Sequence, residues 1–508
     1  MIYDVVIVGS GIGGLCCGSL LSLAGKKVLI CEAHYKPGGV AHGFKKNGYK
    51  FESGPSLWSG LSKPQTTNPL SQILNLLEED VELIKYKEWG VIFPEAKFTL
   101  DVGNEPFRER VKILRGTNSL KEWDNFLESL KPLCHIIESI PLLKASPTQL
   151  NFSEILSLIF KCITKLNSVQ SITTDFGTIA EKHLKDPFLK NWVDLLCFLI
   201  SGMSMHDTNS AAMITLFKDW FEPNSYLEYP KGGSESIVNA LIRGLKKNGG
   251  DLLLSSRVKE ISINNDLVEG VLLENGSKII APQVVMNCDI WTSKKIIPKQ
   301  LLKKWPSNNF KRNKCGSFLH IHLGFDASGL KELPIHTIHV ANWEKGVTSE
   351  RNISVYSIPS VLDPSMAPQG KHVLHGYTPA SEPWEIWNNI KHNEKEYQVL
   401  KEKRCSIFID CIKEFIPDIE DRIELKMLGT PITHKQFTNT YCGSYGPAIS
   451  INDSLFPGCK TPIKNLLSCG ASTFPGIGIP AVAASGAYAA CEIIGKRKYI
   501  KLLKKINL

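Results

Sequence analysis

The amino-acid sequence predicts an α/β protein: a parallel-sheet domain built from separate stretches of chain, carrying an inserted mixed α+β domain. Three observations lead there. A β-branched run near the start, Val5-Val6-Ile7-Val8, ends in a glycine-rich turn. A second strand closes on an acid, Glu32, and another strand–glycine–helix unit occurs near the far end, around Gly470.

Composition narrows the class. Of the 508 residues, 43% are hydrophobic and 21% charged, which excludes disorder and collagen-like architecture. No apolar run approaches the ~18 residues that would predict a membrane-spanning helix. The 59 basic and 50 acidic residues give a net charge of +9, too slight an excess to imply nucleic acid. It suits a protein resting on an anionic membrane surface. Fourteen cysteines without a C-x-x-C pair argue against a zinc ribbon or a thioredoxin motif and for a reducing compartment. Met1 to Asp4 lead straight into a strand with no basic segment before it, so a cytoplasmic location is expected.

The first strand reads as buried on both faces. Gly9, Gly11 and Gly14 then form G-x-G-x-x-G. Gly9 allows the tight turn, Gly11 the close approach of a pyrophosphate, and Gly14 the packing of helix on strand. The helix that follows carries Leu15, Leu20, Leu21 and Leu23 and ends before Gly25, a natural stop. Its free N–H groups and partial positive charge suit a diphosphate. Glu32, roughly 20 residues on, is placed to accept from both ribose hydroxyls. An acid there disfavours a 2′-phosphate. These pieces in register define a Rossmann-type dinucleotide site.

Pro37-Gly38-Gly39 come next, then Phe44 and Tyr49-Lys50-Phe51-Glu52-Ser53-Gly54-Pro55-Ser56. With this glycine doublet after the acid, the sequence resembles the flavoproteins that include amine oxidases, protoporphyrinogen oxidases and carotenoid desaturases. Many of those have arginine after the doublet, whereas Val40-Ala41 stand here, which is more similar to the carotenoid isomerase and retinol saturase branch. The resemblance implies FAD, contacted by Gly38 and Gly39, with Glu52 a candidate acid or base near the flavin.

The stretch from about Leu70 to Asn224 is mixed and helix-rich. Ser153–Phe160 and Trp192–Ile200 are nearly apolar and too short to span a bilayer, so they read as core helices or as a membrane-dipping surface. At Ser234, a good N-cap, a helix starts with the stripe Ile237, Leu241 and Leu245, and stops at Gly249-Gly250. A strand through Val258 and Ile261 follows, then a hairpin from Leu267 that turns at Asn275-Gly276, a type I′ signal. Val284 to Cys288 reads as another buried strand. By resemblance, the backbone at Val258 passes the adenine. From Trp291 to Leu428 a substrate domain is expected, with His320 and His322 on one strand face of its cavity. His336-x-x-His339 and His372-x-x-His375 lack a third ligand at a convincing spacing, so no metal site is expected.

The C-terminal segment resembles the flavin motif of carotenoid isomerases and desaturases. A strand ends at Gly470, a loop runs through Gly476, Gly478 and Ile479, and Pro480 opens a helix of small residues that stops at Gly495. Relatives often have Asp after the strand glycine, where this chain has Ala471. Just upstream, His434 is a second candidate acid or base. The final residues are basic, with Tyr499, Leu502, Leu503 and Ile506 on one helical face, as for a helix lying on an anionic membrane or for a solvated tail.

The expected organisation is an FAD-binding domain from 1–85, 225–295 and 430–495, a substrate domain from 86–224 and 296–429, and a basic amphipathic tail, 496–508. The resemblance implies an FAD-dependent oxidoreductase or isomerase acting on a polyene or isoprenoid lipid, peripheral on a membrane, with a quinone as possible acceptor. The alternatives are an amine or porphyrinogen oxidase, or a non-enzymatic prenyl-binding escort of similar fold; the intact glycine–acid set argues against the last.

Overall fold

A computed structural model of the chain describes residues 2–54, 56–62, 66–138, 143, 174–221, 225–306, 309–391, 394–448 and 457–506. The apolar segment Ser153–Phe160 lies outside the described residues.

Val5–Val8 is buried at every position because it is the middle strand of a five-stranded parallel sheet. Val28–Cys31 and then Asp251–Leu253 lie to one side, and Gln283–Met286 and then Leu466–Ser468 to the other. The strands come from both ends and the middle of the chain, as the sequence predicts. The first helix, Ile12–Leu23, and the last long one, Ile479–Ile494, pack against each other. Both are lined with small residues where they meet. A Cβ built on Gly486 would stand 2.2 Å from the Gly13 carbonyl oxygen, so the two backbones touch.

Helix Ser234–Lys247 buries Ile237, Val238, Leu241 and Leu245 and ends before Gly249, whose φ is +80°. Ser234 is not its cap. Gly233 occupies that place, and the cap is supplied from elsewhere by Glu52, which accepts from the Ser234 N–H at 2.8 Å and from its Oγ at 2.6 Å. The three-stranded meander Val258–Asn264, Leu267–Leu273 and Lys278–Ile280 follows. Its tight two-residue turn is Asn265-Asp266, both with positive φ. At Asn275-Gly276 only the glycine has positive φ, and the Gly276 N–H donates to the Leu273 carbonyl. That is a type I turn closed by a left-handed glycine rather than the type I′ expected.

A second sheet has seven strands, in the order Ile423–Gly429, Ser317–Asp326, Lys371–Glu382, Ile353–Ser357, His336–Val340, Glu88–Ile92 and Lys97–Asp101. All neighbours are antiparallel except His336–Val340 with Glu88–Ile92. Strand alternation divides its faces. Leu319, Ile321, Leu323 and Phe325 pack on the helix Lys395–Lys413 through Phe408 and Ile412. Phe318, His320 and His322 therefore face the other way.

Trp192, Val193, Leu195 and Leu196 are buried in helix Pro187–Ser201, within an aromatic core that also holds Trp89, Phe107 and Trp123. The C-terminal helix, Lys496–Leu503, is amphipathic as expected, but its apolar face turns inward. Tyr499 and Leu503 are fully buried, Leu502 and Ile506 pack on the same core, and Tyr499 Oη donates to the Leu143 carbonyl at 2.8 Å. The face left exposed is the basic one, with Arg497, Lys498, Lys501, Lys504 and Lys505. No helix among the described residues is long and apolar enough to cross a membrane.

Gly486→Leu should overpack the contact with Gly13 and cost about 1–3 kcal/mol. The check is a lower urea midpoint with an unchanged slope, with Gly458→Ala, where nothing lies near the added carbon and φ is not positive, as the comparison.

Candidate active site

A cavity of about 680 Å³ runs along the carboxyl ends of the parallel strands and on to the seven-stranded sheet. Open parallel sheets bind ligands at that edge. One end is lined by Glu32, Arg257 and Val258, the middle by Gly9, Gly11, Gly38, Gly39, Gly470, Gly478 and Ile479. The far end is walled by Phe318, His320, His375, Tyr377, His434 and Tyr445.

The middle is shaped by close backbone approach. A Cβ on Gly9 would lie 2.7 Å from the Asn287 carbonyl, and one on Gly14 2.3 Å from the Gly9 carbonyl. Gly14 thus serves packing and does not itself line the cavity. Gly11 and Gly38 form an isolated bridge, so the doublet folds back onto the glycine turn. Gly476 is not on the wall, where its neighbours Ile477 and Gly478 stand instead.

Asn287, at the end of strand Gln283–Met286, joins the pieces. Its Nδ2 donates to the carbonyls of Gly9 at 3.2 Å and Gly11 at 3.4 Å, while its Oδ1 accepts from Cys469 Sγ at 3.5 Å. Sequence reading passed over this residue, because an asparagine ending a strand has no motif of its own.

Glu32 accepts from Ser10 N–H at 2.7 Å, Ser10 Oγ at 2.6 Å and His34 N–H at 2.8 Å. A carboxylate offers about four acceptor sites. Three donors thus fix the carboxylate, which still lines the cavity with acceptor capacity to spare.

Glu52 does not line the cavity. Besides Ser234, it accepts from Tyr229 Oη at 3.0 Å. Burial holds its carboxyl above the usual range, against the pull of the Ser234 and Tyr229 hydrogen bonds. Its position is that of a buried helix cap, and the expectation of a carboxylate at the flavin is corrected.

His434 does line the cavity, only 8% exposed, and burial pushes its imidazole down to about 4. Its ring lies 4.8 Å from Phe318 and stacks on His320 at 5.4 Å. His320 Nδ1 is 3.0 Å from His375 Nε2, and His375 stacks on His322 at 4.4 Å. His322 shares the strand face of His320 but sits behind the wall, with Nε2 3.1 Å from the Glu52 carbonyl. Burial keeps these rings neutral, and their neighbouring imidazoles push the same way for His320 and His375. Among the described residues, no group of three or more His, Cys, Asp or Glu could hold a metal ion. Of the H-x-x-H residues, His336 is held in the core by Ser357 Oγ and Tyr86 Oη, both at 2.8 Å, while His375 belongs to the cavity wall.

The arrangement suits FAD. Glycine turns press backbone N–H groups toward a diphosphate, an acid waits where a ribose would lie, and a neutral aromatic wall faces the far end. The comparisons agree. Residues 12–494 match the flavin containing amine oxidoreductase model, and the chain belongs to that family. It is an FAD enzyme, an oxidoreductase or isomerase by class.

Among curated proteins it is 30% identical, over 97% of its length and 84% of the relative's, to prolycopene isomerase 1, chloroplastic, of an Oncidium hybrid cultivar. It is 25% identical, over 97% of its length and 96% of the relative's, to a 4,4'-diapophytoene desaturase (4,4'-diapolycopene-forming) of a Methylomonas species. Putrescine oxidase shares the fold, with a TM-score of 0.63 at 14% identity over 97% of this chain and 99% of that one.

Acid should loosen this wall. Folded His322 and His434 take up protons only near pH 4, whereas unfolded imidazoles do so near 6.5. The unfolded chain then binds more protons in that window, so stability falls as pH drops from about 6.5 to about 4. Tm measured across this window should decline, and His434→Phe should make the decline shallower.

Proposed function

We propose that the protein is an FAD-dependent enzyme of carotenoid-like polyenes, catalysing desaturation or cis–trans isomerisation. The observation that carries this reading is one cavity joining the glycine loops at both ends of the chain to a neutral aromatic wall. Its relatives among carotenoid isomerases and desaturases support it. In this reading Gly9, Gly11, Gly38, Gly39, Gly470, Gly478 and Ile479 hold the dinucleotide, Gly14 packs beneath it, and Gly476 shapes the loop. Glu32 binds a ribose hydroxyl, and the backbone at Val258 meets the adenine. When bound, FAD supplies two-electron hydride chemistry. The wall orients the polyene and keeps water from it, and His434, neutral and buried, is placed to hydrogen-bond a ligand rather than carry charge. The five-stranded sheet with its glycine helices forms the FAD domain, close to 1–85, 225–295 and 430–495, and the seven-stranded sheet belongs to the substrate domain.

Membrane contact belongs at the cavity mouth in this reading. A second hollow, of about 640 Å³, shares Trp291, Lys295 and Tyr441 with the main cavity and adds Lys294, Lys311, Arg312, Lys314 and Phe310. Lysine with aromatic rings is the composition of a membrane interface. Among the described residues, Lys294, Lys295 and Lys311 have no carboxylate within ion-pair distance, while Lys314 pairs with Glu385 at 3.2 Å. An apolar substrate would then enter from an anionic cytoplasmic leaflet, and a quinone in the same leaflet is a fitting acceptor for desaturation.

Expression in a carotenoid-producing host, with pigments separated by chromatography, tests the activity. Longer chromophores indicate desaturation and altered cis–trans profiles isomerisation; unchanged pigments defeat the reading. Peroxide release from an amine would instead favour an oxidase. For the membrane, Lys294→Glu combined with Lys311→Glu should weaken binding to anionic vesicles at least about tenfold. Reversal of Lys501 and Lys505 on the packed C-terminal helix should have a smaller effect.

A further inference from the structure

Beside the glycine doublet lies a hydroxyl–imidazole pair, Ser53 and His42, of which Ser53 lines the cavity. Ser53 lines the cavity beside Gly54, and its Oγ lies 2.9 Å from His42 Nε2. His42 is 6% exposed, and its other ring nitrogen, Nδ1, is 2.7 Å from the Gly39 carbonyl oxygen. A carbonyl can only accept, so Nδ1 carries the proton and donates it. In a neutral ring Nε2 is then a bare lone pair, turned to the Ser53 hydroxyl. That hydroxyl has a second acceptor, the His42 carbonyl at 2.7 Å, where its hydrogen can rest.

Burial, the largest influence, lowers the His42 pKa; the Gly39 hydrogen bond opposes it, His34 and Lys36 lower it further, and Glu235 opposes them. Glu52, one residue before Ser53, points away to cap its helix. The two neighbours thus divide the work, carboxylate to structure and hydroxyl to cavity. A hydroxyl in reach of a base that a third group orients is the geometry of an activated group.

We propose that Ser53 is the catalytic acid–base group of this cavity, with His42 its proton partner and the Gly39 carbonyl holding the imidazole in the working tautomer. The proposal rests on the polyene reading above. In the oxidative direction bound FAD would supply the two-electron hydride acceptor, which would leave the C–H bond beside the oxidised carbon acidic. That proton passes to Ser53 Oγ as the Ser53 proton passes to His42 Nε2. The C–H bonding pair becomes the new π bond, and the proton ends on the imidazolium. Saturation of a double bond runs the same transfers in reverse. His42 acts through Ser53 and is a positioning residue; Ser53 touches the ligand.

The test uses FAD-loaded protein with 15N-labelled histidine, the His42 signals being assigned by their loss in His42→Asn. Near pH 8 the ring should carry its proton on Nδ1, and the Nε2 resonance should move in Ser53→Ala. Polyene turnover in Ser53→Ala should fall about a hundredfold at unchanged flavin content, with partial recovery in Ser53→Thr. A proton on Nε2, an Nε2 resonance indifferent to Ser53→Ala, or turnover within about twofold of wild type overturns the proposal. The tautomer and its response to Ser53→Ala are read without substrate. A wild type that leaves carotenoids unchanged while passing those readings therefore counts against the polyene reading alone.

Discussion

Everything in this molecule depends on two helices touching at the backbone. Helix Ile12–Leu23 carries the glycine turn and helix Ile479–Ile494 carries the C-terminal loop, and Gly13 meets Gly486 with no space for a side chain. Close contact lets both N-termini converge on one edge of the sheet. A larger residue at that point would spread them and leave Asn287 unable to hold Gly9 and Gly11 while facing Gly470. The nucleotide site is thus a consequence of packing before it is a set of contacts.

Charge is handled by the same economy of structure. Glu32 is consumed largely by Ser10 and His34, and Glu52 by Ser234 and Tyr229, so each acid fastens one part of the backbone to another. The far wall offers the opposite solution. Its imidazoles stay neutral by burial, so that end of the cavity carries no net charge. Four lysines stand instead around the hollow beside Trp291 and Tyr441.

Much of the nucleotide half was legible because its signals are local. Three glycines, an acid at the end of the next strand and a helix opened by Pro480 each impose their geometry within a few residues. What escaped was partnership across the chain. Glu52 caps a helix that begins 182 residues later, which no pattern near Glu52 reveals, and Ser234 passed for its own cap. Asn287 matters only because Gly9 and Gly470 come to it. Strand pairing sets His375 opposite His322 and within reach of His320, and that register was not readable. The C-terminal helix shows another limit. Amphipathicity says that one face is apolar, and that face fits a protein core as well as a lipid surface.

The sheet also has a history in time. Its middle strand is Val5–Val8 and one edge is Leu466–Ser468, so the first strand made by the ribosome waits for nearly the last. The helix that seals the glycine turn is made later still. Both halves of the clasp exist only once the chain has been made through Ile494, so the N-terminal strands are formed before the elements that complete their sheet and its glycine turn.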